Sequence, residues 1–114
     1  MTRPQGLPAG LVAYKRTAIF DESTMPAGLR RGHRTKDGVW GLIRVLDGRL
    51  RYRILEPLSE EILDSERYGV VWPAQSHEVE PIGAVRFFVE FYAEPATVAA
   101  QDALRPGKGD GIHD

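Results

Sequence analysis

The chain has no cysteine. That excludes disulfides, thiolate nucleophiles and any zinc site built on sulfur, leaving histidine, carboxylate and water as metal ligands. Histidine is itself scarce, at His33, His77 and His113. No apolar run approaches the ~20 residues needed to cross a bilayer, so no membrane role is expected. The opening Met-Thr-Arg-Pro-Gln-Gly-Leu-Pro carries a charge but no apolar core of the kind a secretory signal requires, which points to the cytoplasm. Net charge is only −1. Nucleic-acid binding, which calls for a basic domain with interleaved aromatics, is not expected either. Glycine-rich phosphate loops, a Gly-x-Ser-x-Gly elbow and a His-Glu-x-x-His pair are all missing. Ser76 and His77 are neighbours, but adjacent residues of an extended chain point to opposite faces, so they do not form a nucleophile and base.

What is present is turn chemistry and alternation. Twelve glycines and eight prolines cut the 114 residues into short segments, as in an all-β domain. Trp40 to Leu46 is rich in β-branched and aromatic residues, and Asp47-Gly48 follows as a turn signal. Next, Arg49 to Ile54 alternates strictly, with Leu50, Tyr52 and Ile54 on one face and three arginines on the other. A hairpin centred on Asp47-Gly48 is expected. An acidic connector follows Glu56-Pro57, then a short strand ending at Trp72 and a short extended piece from His77. Ala84 to Tyr92 is the strongest strand by composition, with large aromatics on both faces. Such a strand is either central or has one face in a subunit interface, which suggests a homodimer. Pro95 opens an alanine-rich stretch expected to be the one short helix. One domain is expected over residues 1–104, with a flexible tail over 105–114.

Charge is segregated. Gly28 to Arg53 is basic and Glu56 to Glu80 acidic. Cross-strand pairing on an outer sheet face is favoured over an anion-binding patch.

Val45-Leu46-Asp47-Gly48-Arg49-Leu50 and Gly69-Val-Val-Trp-Pro73-Ala-Gln-Ser-His77 look like the two half-motifs of cupins. Gly32-His33-Arg-Thr35-Lys36-Asp-Gly38-Val-Trp40-Gly41, Pro73-x-x-x-His77-x-x-Glu80 and the closing Phe91-Tyr92 resemble, more specifically, the small cupin domain of the tellurite-resistance TehB/YeaR-like family. The resemblance covers residues from about 11 to 92.

It implies a conical antiparallel β-barrel, the double-stranded β-helix of cupins, with a pocket at its mouth. It also implies a divalent metal (zinc, iron or manganese) held by His33 and His77, with Glu80 and Glu90 as the carboxylates to consider. Arg31 and Trp40 are expected in the ligand pocket, with His113 returning from the tail to cap it. The chain departs from the general cupin pattern in lacking the second histidine of the first motif and in having Gly41 where many cupins carry a glutamate ligand. Alternation also turns Glu80 away from His77 unless Pro81 bends the strand, and an arginine competes for Glu90. The function expected is that of a small cupin binding a divalent metal or a small anionic ligand, an oxyanion included, in a tellurite-resistance or stress-response role. The alternatives are a metal-dependent oxygenase, isomerase or hydrolase with an open coordination position, and a non-catalytic dimerisation module.

Overall fold

Two long runs of β-branched and aromatic residues organise the molecule. In the computed structural model, which describes residues 6–30, 35, 37–55 and 58–104, they are the strands β3 (Trp40–Leu55) and β6 (His77–Ala93). These pair antiparallel along their whole length, from Trp40 opposite Tyr92 to Ile54 opposite His77. Shorter strands flank them: β1 (Val12–Arg16) and β2 (Phe20–Asp21) on β6, β4 (Leu58–Leu63) and β5 (Gly69–Val71) on β3. A turn of 3₁₀ helix, Ala27–Arg30, precedes β3, and the helix α1 (Pro95–Leu104) follows β6. The all-β architecture with one C-terminal helix is the one expected. Its six-stranded sheet is not closed: the path β1-β6-β3-β4 has two ends.

The hairpin expected at Asp47-Gly48 is replaced by a through-strand. β3 passes that dipeptide without reversing, and the register against β6 slips between Val45 and Asp47 and again between Gly48 and Arg49. Gly48 has φ +81°, and a Cβ there would lie 2.1 Å from the Ala84 carbonyl oxygen. The turn chemistry was therefore used for a bulge that bends two paired strands together. The true reversal lies further on, between Leu55 and Leu58, which are paired, so the expected acidic connector is largely strand β4.

Behind the bend, alternation builds the core. Val85, Phe87, Val89 and Phe91 of β6 pack with Ile43, Val45, Leu50 and Tyr52 of β3, and with Leu63, Val71 and Val79. Phe87 and Phe91, almost wholly buried, contribute on the order of 1.5–3 kcal/mol each through area removed from water. On the opposite face of β6, Phe88 is only 8% exposed, with the Arg16 guanidinium 5.1 Å from its ring centre. Along the rest of that face Arg86 is exposed and Glu90 and Tyr92 are half-buried.

The segregated charges meet across the strands. Arg51 contacts Glu60 on β4 and Glu80 on β6 at 2.8 and 2.7 Å. Arg53 reaches Glu78 at 2.7 Å and the same Glu60 at 3.5 Å. This is the outer-face pairing the sequence favoured. All five side chains are partly exposed, so each pair adds at most about 1 kcal/mol.

Candidate functional site

His77 opens β6 after the turn Trp72–Ser76, in which Ala74 adopts φ 61° and the Gln75 amide donates to the Trp72 carbonyl. Its ring is buried, stands edge-on to Tyr52 with centroids 5.9 Å apart, and has Nδ1 3.1 Å from the Gln75 carbonyl oxygen. A carbonyl can only accept, so this contact assigns the proton to Nδ1. The space beside it is lined by Leu29, Thr35, Gly41, Ile43, Val71, Val79, Phe87, Val89 and Phe91 and amounts to about 20 Å³. That is room for about one water. Thr35 Oγ1 is already committed to the Val39 carbonyl at 2.8 Å, so among the described residues the lining is apolar apart from the imidazole.

Of the residues expected to join His77, those that the structure describes do not converge on it. Glu80 lies on the outer face, exposed and paired with Arg51. Glu90 also faces outward, 3.5 Å from Arg44 Nε and 3.4 Å from the Tyr92 hydroxyl. Trp40 precedes Gly41, which lines the cavity, and so points the other way. Its ring packs against Trp72 at 6.5 Å, and its Nε1 is buried without a hydrogen-bond partner among the described residues. Arg31, His33 and His113 lie outside the described residues. Among the described residues no group of three histidine or carboxylate side chains could hold a metal ion.

A larger space lies on the exterior where β4 turns into β5. It is an open groove of about 450 Å³, floored by Tyr52, Ile54 and Val70 and bordered by Glu61, Glu66, Arg67, Tyr68 and Trp72. The isolated bridge between Asp64 and Arg67 tightens the connection that forms its rim, and the Asp64 carboxylate accepts the Glu66 amide at 2.9 Å. The Tyr52 hydroxyl donates to the Val70 carbonyl at 2.9 Å and ties β3 to β5 below the groove. Burial, reinforced by the nearby Glu61 carboxylate, pushes the Tyr52 phenol well above its ordinary range. Trp72 is half exposed, and Tyr68 has the Arg44 guanidinium 5.7 Å from its ring centre. Two carboxylates, one guanidinium and two aromatic rings around a space of small-ligand size are suited to a planar ligand carrying both signs of charge. The sequence reading missed this groove. Its acidic residues stood in a presumed connector, and only the strand periodicity of Leu58 to Leu63 could have signalled otherwise.

The fold and groove define a single-sheet antiparallel β domain with an open recess beside the connection from β4 to β5. The chain belongs to the TehB-like family, whose domain model matches residues 15–89. A curated relative, the "Probable S-adenosyl-L-methionine-dependent methyltransferase TehB" of Haemophilus influenzae, is 30% identical over 77 residues, which are 63% of this chain and 27% of that protein. The chain thus spans about a quarter of that relative's length. In fold it is similar to a protein from Escherichia coli K12, with TM-score 0.72 and 20% identity over 83% of this chain and 99% of that one. The crystal structure of Haemophilus influenzae TehB gives TM-score 0.69 and 23% identity over 86% of this chain and 42% of that one.

These findings correct the expected function. The relative carries the name of a methyltransferase that uses S-adenosyl-L-methionine, not that of a metal- or anion-binding cupin, and the cupin designation is not supported by the family match. Among the described residues the expected zinc, iron or manganese finds no site, because His77 faces the core while Glu80 and Glu90 face outward in ion pairs, and the relative's name points to S-adenosyl-L-methionine instead. Among the described residues no helix is long and apolar enough to cross a membrane.

Proposed function

We propose that the chain is a small-molecule recognition domain serving methyl transfer, and that its outer groove holds S-adenosyl-L-methionine. The observation that carries this reading is the groove itself. At about 450 Å³ it falls within the 300–1,000 Å³ range of small-molecule sites, whereas the cavity of about 20 Å³ beside His77 does not. Its chemistry supports the same ligand. Trp72 and Tyr68 offer faces for a purine and for a sulfonium cation, Glu61 and Glu66 offset the sulfonium and ammonium charges, and Arg67 meets a carboxylate. When bound, the ligand supplies an electrophilic methyl group. The chain's own residues bind and orient it. The cytoplasmic location expected from the sequence accords with this role.

Calorimetric titration of the chain with S-adenosyl-L-methionine tests the proposal, with the demethylated product, whose sulfur is a neutral thioether, as a comparison. The expected result is saturable one-to-one binding, weaker for the thioether and about tenfold weaker in Trp72→Ala or Glu61→Gln. No binding up to millimolar ligand, or unchanged wild-type affinity in both variants, overturns it.

A further inference from the structure

We infer that the outer edge of β4 is a docking site for an extended basic segment of another protein, which adds to the sheet as a further strand. This inference is independent of the groove. Among the described residues β4 pairs with β3 alone and ends the sheet. Its register runs through six consecutive pairs, Leu50 with Leu63 to Leu55 with Leu58, without a bulge. Natural edge strands are usually guarded by bulges, lysines or prolines. The opposite edge has such guards, since β1 carries a bulge between Ala13 and Lys15 and ends in Lys15-Arg16. In β4, Leu-Ser-Glu-Glu-Ile-Leu, there is no proline, no basic residue and no irregularity; its charged residues, Glu60 and Glu61, are both acidic, a guard against acidic or identical strands but not against a basic one.

The backbone groups of that edge can be assigned. The Leu55 amide donates to the Ser76 carbonyl, on the β6 side. Alternation therefore turns Arg53 and Arg51 toward β6, and Ile54 and Tyr52 toward their β4 partners Ser59 and Glu61. The N–H and C=O groups of Leu58, Glu60 and Ile62 consequently point away from β3. The same three residues share the outer face, where Leu58 is 73% and Ile62 38% exposed. A strand added here satisfies backbone groups and covers two apolar side chains at once.

Charge selects the occupant. A second copy of β4 has to keep faces matched. In antiparallel registers it then sets Glu60 against Glu60, Glu61 against Glu61, or Leu58 against Glu60, each unfavourable. A basic strand sets no carboxylate against another. Glu60 is already shared by Arg51 and Arg53, but Glu60, Glu78 and Glu80 outnumber those two guanidinium groups on this face. β3 shows the pattern by placing Arg53 opposite Glu60, flanked by Tyr52 and Ile54. The fitting partner alternates arginine or lysine with apolar residues.

The test uses a fluorescent capped peptide, Leu-Arg-Tyr-Arg-Ile-Leu, copied from residues 50–55, and an acidic counterpart, Leu-Glu-Tyr-Glu-Ile-Leu. Anisotropy is measured with the full chain. Saturable binding of the basic peptide alone is expected, weakened about tenfold by Leu58→Lys and unaffected by Trp72→Ala, so that failure of the groove reading leaves this result intact. Circular dichroism confirms that Leu58→Lys is folded; Ile62→Pro, which removes an outward N–H, serves as a second variant if it is not. Equal binding of both peptides, no saturable binding, or self-association of the chain through this edge in sedimentation overturns the inference.

Discussion

Single side chains here answer to the low-dielectric interior more than to their neighbours in sequence, and Tyr52 shows it best. Its ring is buried under the groove, and its hydroxyl gives the Val70 carbonyl a partner. Burial and the Glu61 carboxylate both disfavour the phenolate, so the folded chain holds this proton more tightly than the unfolded one. The sign follows from linkage: the stabilisation is complete below the unfolded tyrosine value of ~10 and is lost as pH rises beyond it. Denaturant melts between pH 8 and 11 are expected to show stability falling from about pH 10. Tyr52→Phe should cost about 1 kcal/mol at pH 8 by orphaning the carbonyl and should flatten the alkaline decline. An unchanged decline in that variant would show that the loss arises elsewhere. His77 carries a related lesson. Its inward direction agrees with the proline-bearing turn that precedes it, but its metal role came only with a family motif, and the two carboxylates considered with it face outward.

At the scale of elements, strand composition was legible and connectivity was not. Alternation correctly assigned the faces of Arg49 to Ile54 and of Ala84 to Tyr92, and Pro95 correctly opened the helix. Asp47-Gly48 misled because a positive φ serves a bulge as well as a hairpin. The choice is made by residues far away in sequence, here the Ala84 carbonyl that approaches Gly48. Leu58 to Leu63 was obscured by two glutamates, which a strand tolerates when arginines face them across the ladder. The bend makes a prediction. Gly48→Ala combines a strained φ with a collision against backbone, and should cost about 3 kcal/mol. Gly83→Ala, at φ +71° but with nothing near its Cβ, should cost about 1 kcal/mol. Urea unfolding of both variants measures the difference, and equal losses would mean that the contact with Ala84 is not what holds the corner.

For the whole molecule, the decisive feature is that most of the sheet hangs on one long-range pairing. β3 and β6 are joined through β4 and β5, so Trp40 finds Tyr92 only after the intervening chain has been closed into a loop. Closing that loop costs entropy before any ladder hydrogen bond offsets it. This also explains why the exterior groove was invisible in the sequence: Tyr52, Glu61 and Trp72 become neighbours only once β4 and β5 have both docked on β3. The same order of events sets the folding rate. A chain dominated by such contacts should refold on a timescale of about milliseconds to seconds, not microseconds. Because Val85, Phe87 and Val89 enter the core only with β6 in register, a substitution such as Val89→Ala is expected to slow refolding if that pairing forms in the transition state, and to speed only unfolding if it forms afterwards. Stopped-flow tryptophan fluorescence distinguishes the two, with the Trp40 and Trp72 rings, packed against each other beside the β3–β5 pairing, as reporters. Refolding within microseconds would show that local structure, and not the β3–β6 ladder, governs assembly.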